Sequence, residues 1–268
     1  MTDKLPDPPS HVPRAAIRPK DAATLILVRR DGPVPRILMG QRSRGHVFMP
    51  DKWVFPGGRV DPADVRAPAA AELAPLVERR LAEGNVRRRA RAFALAAVRE
   101  TFEETGLVVG AAGTLHGRVP ASWSVYASHG AAPDLSRFAY VARAITPPHR
   151  PRRFDARFFY AHAEEVLLDD RPHASGQELL HVEWFGLDEA EKLDLPSVTR
   201  FVIGEVRRRL AGEENEPPFL RWRRSSTDRS RETAAVGAAR DTPDPHTIVT
   251  ERIVSGSKAG CDKKNSKS

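Results

Sequence analysis

The chain has 268 residues, 40% of them hydrophobic, with 43 Lys and Arg against 35 Asp and Glu and a formal net charge of +8. That is enough to bury a substantial core; no run approaches the ~18 consecutive apolar residues that span a bilayer, and Met1 to Pro13 lacks the basic and apolar blocks of a secretory signal. The expectation is a cytoplasmic chain without a membrane segment, and its one cysteine, Cys261, permits neither an intramolecular disulfide nor a cysteine-based zinc site.

Residues 1–20 carry Pro6, Pro8, Pro9, Pro13 and Pro19 and read as a flexible leader. Ala23–Val28 and Arg36–Met39 read as two strands joined by a turn at Asp31-Gly32-Pro33, and Trp53–Phe55 as a third short strand. At Pro56-Gly57-Gly58 a sharp turn is expected from the special backbone freedom of paired glycines. A short helix over Pro75–Glu83 is followed by the strongest helical signal, the alanine-rich run Arg87–Thr105, with Gly106 placed for a left-handed C-terminal cap. Strands are predicted over Ser136–Ile145, Ala156–His162 and Leu180–Phe185, and an amphipathic helix over Ser197–Leu210. The 223–268 tail has no sustained period and reads as disordered. Elements mixed without a regular βαβ rhythm argue for an α+β or layered α/β/α domain.

The charge is not concentrated at the C-terminus, since residues 212–268 hold 11 Lys and Arg against 9 Asp and Glu. Two arginine groups stand out instead: Arg79, Arg80, Arg87–Arg89 and Arg91, and then Arg143, Arg150, Arg152, Arg153 and Arg157. Such groups suit a polyphosphate groove or a nucleic-acid footprint, and equally a solvated surface.

On the alanine-rich helix, Glu100, Glu103 and Glu104 fall at about 0°, 300° and 40° of rotation, with Leu95, Val98 and Phe102 opposite. The helix should bury one face and present an acidic cluster on the other, with Ala96 and Ala97 leaving room above it. Such a cluster costs stability: like charges at i,i+4 are unfavourable by about 0.2–0.5 kcal/mol, and the helix C-terminus disfavours anions. A hard divalent cation reverses the sign, while Arg99 is placed to pair with Glu103. A solvated acidic helix end is the competing reading.

Arg99-Glu100-Thr101-Phe102-Glu103-Glu104-Thr105-Gly106-Leu107 resembles the R-E-U-x-E-E-x-G-U half of the Nudix box, where U is aliphatic, and Phe55-Pro56-Gly57-Gly58 resembles the glycine pair that opens it. Asp64 stands where the family has a glutamate. Arg99 lies 41 positions beyond Gly58, where the family spacing is 14, so residues 65–90 form an insertion inside the box. A split box is seen in a subgroup that includes coenzyme A diphosphatase-like members, and this sequence resembles that subgroup, also at Arg152–Phe159. The resemblance covers residues 21–222 and implies a Nudix-type α/β/α sandwich with a mixed central sheet.

It also implies a diphosphatase that hydrolyses a nucleoside diphosphate linked to another moiety by attack of water on phosphorus. Mg²⁺ or Mn²⁺ would be held by Glu100, Glu103 and Glu104, with Arg99 orienting Glu103, a backbone carbonyl at Gly57-Gly58 completing the shell, and Asp64 joining through water. The base is a glutamate of the box or one on a later loop, with Glu178 as the candidate and Glu183, Glu164 and Glu165 as rivals. Arg42, Arg153 and Arg157 are candidates to bind the diphosphate, and Phe158, Phe159 and Tyr160 to stack a base. Coenzyme A-specific relatives carry an L-L-T-x-R-type strand; this chain has Leu38-Met39-Gly40-Gln41-Arg42-Ser43. Coenzyme A, nucleotide sugars, ADP-ribose, dinucleotides and RNA 5′ ends stay open, as does a homodimer. A small nucleoside diphosphate derivative accounts for the arginines better than nucleic acid, and the competing class is a nucleotide-binding module that has lost catalysis.

Overall fold

The computed structural model describes residues 17–45, 49–82, 90–148, 150–169, 179–213, 216–222 and 248–252. Its elements in chain order are β1 (Lys20–Arg29), β2 (Arg36–Arg42), β3 (Trp53–Val54), β4 (Gly57–Arg59), α1 (Pro75–Leu81), α2 (Ala90–Thr105), β5 (Val108–Val109), β6 (Ala111–Ala112), α3 (Ser124–Ser128) and β7 (Ala131–Ala132). There follow β8 (Ala139–Ile145), β9 (Phe154–His162), α4 (Ala163–Val166), β10 (Leu167–Asp169), β11 (Leu179–Gly186), α5 (Leu187–Ala190), α6 (Ser197–Leu210), β12 (Pro218–Trp222) and β13 (Ile248–Arg252).

The unbroken apolar run in β1 marks a strand buried on both faces. Leu25 and Leu27 pack into one core cluster with Leu95 and Phe102 of α2, while Ile26 and Val28 pack into a second with Val202, Ile203 and Val206 of α6. The main sheet runs β11-β2-β1-β9-β8-β12-β13, with β3 beside β2 and β4 beside β1. The β1–β9 and β8–β12 pairs are parallel and the others antiparallel. With helices on both faces this is the expected α/β/α sandwich with a mixed central sheet.

One edge of β1 is shared. Ala22, Ala23 and Thr24 pair with β4, whereas Val28 and Arg29 pair with β2. The sheet therefore parts along that edge, and the parting positions the site.

Several expectations change. The helix α2 is buried almost all round, with Phe93, Ala96 and Ala97 at 0% exposure, so no open space lies above the two alanines. From the 65–90 stretch, Ala67, Leu73, Val77 and Leu81 join the core beside α2, and Ala70 N–H bonds Pro133 O at 2.8 Å. Residues 83–89 of that stretch lie outside the described residues, as do residues 1–16 of the leader. Within the stretch read as disordered, Ile248–Arg252 pairs antiparallel with β12. An extended segment with β-branched residues can add to a sheet edge from far along the chain, which local periodicity does not report. Among the described residues no helix is long and apolar enough to cross a membrane.

Between β8 and β9 lies a buried charge cluster. Asp155 accepts two hydrogen bonds from Arg143, at 2.8 and 2.7 Å, and Arg157 Nη1 lies 2.6 Å from its Oδ1. Burial works against the Asp155 charge, but the two guanidiniums outweigh it and hold the carboxyl below its ordinary range. A depressed native pKa contributes stability that is present above about pH 4 and is lost as the pH falls toward the native value. Asp155→Asn is expected to cost about 3 kcal/mol or more at neutral pH, because two arginines keep their burial and lose their partner. Urea titrations across pH should show the acid loss in the parent and not in the variant; equal stability at pH 7 would refute the assignment.

Candidate active site

The glycine pair is required by close approach, not by unusual dihedrals. Gly57 and Gly58 form β4 and neither has a positive φ, so the expected change of direction falls at Pro56, where the chain bends, and not on the glycines. A Cβ on Gly57 would lie 2.5 Å from Ala23 O, and one on Gly58 would lie 2.4 Å from the Glu100 carboxyl carbon. The missing side chain at Gly58 lets α2 press Glu100 against the β4 backbone, and the one missing at Gly57 lets β4 lie close to β1. Glu104, 3% exposed, accepts the Gly57 N–H at 2.8 Å. A hydrogen bond to a charged group is worth roughly 1.5–3 kcal/mol, which offsets the cost of burying a carboxylate near a helix C-terminus. Gly106, at φ 72°, closes α2 as expected, its N–H bonding Phe102 O at 2.8 Å.

Arg99 joins α2 to the segment that follows β4. Its Nε donates to Asp64 Oδ1 at 2.9 Å, Nη2 to Asp64 Oδ2 at 3.1 Å and to Arg59 O at 2.9 Å, and Nη1 to Glu103 at 2.8 Å. Nη1 also lies 2.9 Å from Glu100 Oε1. Burial opposes the Arg99 charge, yet the hydrogen bonds it donates to Asp64 and the fields of Glu100, Asp64 and Glu103 overcome it, raising the guanidinium pKa.

Asp64 is fully buried and also accepts the Asp61 N–H at 2.8 Å and Trp123 Nε1–H at 3.1 Å. Its oxygens are engaged by Arg99, Asp61 and Trp123, so it acts on the arginine and does not join a metal shell through water as expected. Trp123, at 0% exposure, was not foreseen. No spacing relates it to Asp64 in the sequence, and a lone tryptophan reads first as core.

The three carboxylates of α2 take different contacts, with Glu100 and Glu103 both meeting Arg99 Nη1. Glu100 lines a cleft of about 420 Å³, Glu104 is turned onto Gly57, and Glu103 is more exposed and held by Arg99. Among the described residues no three His, Cys, Asp or Glu side chains converge on a metal position. Hard carboxylate oxygens at Glu100 and Glu104 nonetheless fit Mg²⁺ or Mn²⁺, which are commonly held by one or two carboxylates plus substrate phosphates.

The cleft is also lined by Arg42, Gly57, Gly58 and Arg59, and by Phe158 with Phe154. Of the candidate arginines, only Arg42 lies on it. Arg153 is not on the cleft: it donates to Thr146 O and Ile17 O, tying the β8–β9 connection to the chain before β1. Arg157, 1% exposed, pairs with Asp155 and stacks 4.4 Å over Phe93, so it fixes α2 to the sheet. Strand alternation decides this, since Arg157 faces α2 while its neighbours Ala156 and Phe158 face the cleft. Of the aromatics, Phe159 is in the α2 core and Tyr160 in the α6 core. Arg150 and Arg152 line the cleft; their membership of an arginine group signalled both, and the Arg152–Phe159 resemblance signalled Arg152 as well. Glu178 lies outside the described residues. Glu164 and Glu165 face Arg30 and Asp31 at the far end of β1, and Glu183 is exposed on β11.

No family model matches the chain. A Caenorhabditis elegans protein named as nudix hydrolase 7 is 29% identical over 176 residues, which are 57% of this chain and 46% of the relative. The chain thus spans about half the length of the curated relative it matches. A Nudix hydrolase of Alicyclobacillus acidocaldarius, seen in a crystal structure, is 27% identical, and the match covers 71% of this chain and 91% of that one with a TM-score of 0.51. The fold is therefore a Nudix-like α/β fold, and both similarities support a place for the chain in the Nudix hydrolase family.

If Trp123 and Asp64 hold Arg99 as described, Trp123→Phe should cost about 1–2 kcal/mol through one lost donor to a buried carboxylate. Asp64→Asn should cost more, about 3 kcal/mol, by leaving a buried guanidinium under-compensated. Chemical denaturation measures both, and a Trp123→Phe variant as stable as the parent would contradict the bond.

Proposed function

We propose that this protein is a Nudix diphosphatase, hydrolysing the diphosphate bond of a nucleoside diphosphate linked to another moiety. The observation that carries this is the approach of two α2 carboxylates, Glu100 and Glu104, to the β4 backbone beside a cleft that also holds Arg42. A divalent cation at Glu100 and Glu104, either Mg²⁺ or Mn²⁺, would when bound neutralise diphosphate charge and polarise the attacked phosphorus.

The chain's own residues supply the rest. Arg42 binds the phosphates, and the Gly57-Gly58 backbone lets them come close to α2. Arg99 holds Glu100 and Glu103 in place, so the carboxylates need not reorganise when substrate enters. In the reaction, water oxygen bonds to phosphorus, the bridging P–O bond breaks, and the leaving phosphate departs as an anion. The water proton passes to a carboxylate outside the cation's ligands, for which Glu178 is the candidate. Phe158 offers a face for the base. The insertion between Gly58 and Arg99 supports placing the chain in the split-box subgroup.

Glu104→Gln keeps the shape of the side chain and its bond to Gly57 N–H. It is expected to lower hydrolysis of coenzyme A, ADP-ribose, NADH or dinucleoside polyphosphates with Mg²⁺ or Mn²⁺ by two or more orders of magnitude, at unchanged circular dichroism. Product masses identify the broken bond. Full activity in that variant would overturn the assignment of Glu104, and no cleavage by the parent of any of these compounds, with one raising Tm, would favour the binding-module reading.

A further inference from the structure

The basic residues around the cleft are spread over more of it than a single diphosphate occupies. Four guanidiniums line it, those of Arg42, Arg59, Arg150 and Arg152, against the one carboxylate of Glu100. Such an excess within a partly apolar crevice focuses a positive potential onto whatever enters.

The arginines also lie at two levels. Gly58, against which Glu100 packs, pairs with Ala23. The start of β9 pairs with Lys20, three residues along β1 from Ala23, which at the rise of a strand is roughly 10 Å. Arg150 and Arg152 precede that start, on the connection from β8. Among the described residues neither side chain has a hydrogen bond or ion pair, whereas Arg143, on β8 at the base of the same connection, is neutralised by Asp155. Phe154, paired with Lys20, stands at the second level and Phe158, paired with Thr24, beside the first, so an apolar wall spans the two. The first turn of α6, which has no capping side chain, lies on the same cleft and adds its amide groups.

We infer that Arg150 and Arg152 form a second anion subsite, so that the preferred ligand is a nucleotide carrying a phosphate separate from the diphosphate bound near Glu100. The inference rests on the cleft being the nucleotide site and names what distinguishes the ligand within that class. A planar base or its sugar spans the Phe154–Phe158 wall, and the additional phosphate is read bidentately by guanidinium groups. A plain nucleoside diphosphate derivative leaves the second level unused.

Matched pairs of ligands test this by binding, so that turnover is not required. The full chain is titrated calorimetrically in EDTA with NADPH against NADH, and with coenzyme A against dephospho-coenzyme A; the members of each pair differ by one phosphate, on the ribose 2′ or 3′ oxygen. In at least one pair the phosphate-bearing member should bind ten-fold or more tightly, and the pair that discriminates locates the phosphate. In R150A/R152A that ratio should fall to near one, and in R152E below one. Equal affinities within both pairs, binding of none of the four, or a ratio that survives R150A/R152A would each overturn the subsite. Hydrolysis measured separately keeps the two readings apart: a preserved affinity ratio without cleavage in Mg²⁺ or Mn²⁺ overturns the diphosphatase and leaves the subsite standing, and cleavage without a ratio does the reverse.

Discussion

The interaction on which the site depends is the cage around Arg99. One guanidinium, pointing inward from α2, is shared among Asp64, Arg59 O, Glu103 and Glu100. A planar cation with donors in a fixed fork suits this, because it can bind several acceptors at once without choosing one. The cage sets the orientation of Glu100 and Glu103 and ties α2 to the segment that follows β4. Removing Arg99 or Asp64 would leave buried charge under-compensated, which is among the most costly changes a core can undergo.

That cage also explains how the segment after β4 and the last turns of α2, far apart along the chain, are held at one site. Lengthening the chain between Gly58 and Arg99 raises the entropy of closing the loop only logarithmically, by about 0.6 kcal/mol per doubling. The buried hydrogen bonds between Asp64 and Arg99 exceed this. The 65–90 stretch then recovers more by burying Leu73, Val77 and Leu81 against the α2 side of the core.

Stability and chemistry pull α2 in different directions. Its apolar and alanine positions are packed on nearly every side, so the helix is rigid, yet its last turns carry carboxylates where the helix dipole opposes them. Gly57 N–H on Glu104 and the Arg99 cage compensate locally. The same packing keeps the anionic groups where a diphosphate substrate would need them, beside the parting of the sheet at β1.

From the sequence alone, much of the architecture was legible. Alanine content and Gly106 marked α2, continuous apolar runs marked the central strands, and the periodic pattern of 197–210 matched α6, because these signals are local and repeat with the period of the element. The glutamates and the glycine pair were legible as a pattern of residue types. Three-dimensional packing decided what each did. It turned Glu104 onto Gly57, brought Trp123 to Asp64, sent Arg157 into the core and left Arg150 and Arg152 on the cleft, whereas the Arg99–Glu103 pair was already legible as a one-turn spacing on the helix. Local propensity contains no information on which face of a strand meets which helix, or on a pairing such as that of β12 with Ile248–Arg252. The sequence by itself determined which chemical groups the protein has and which segments carry them; only the tertiary structure decided which of those groups share a site, because that depends on long-range strand register and on which charges can be buried together.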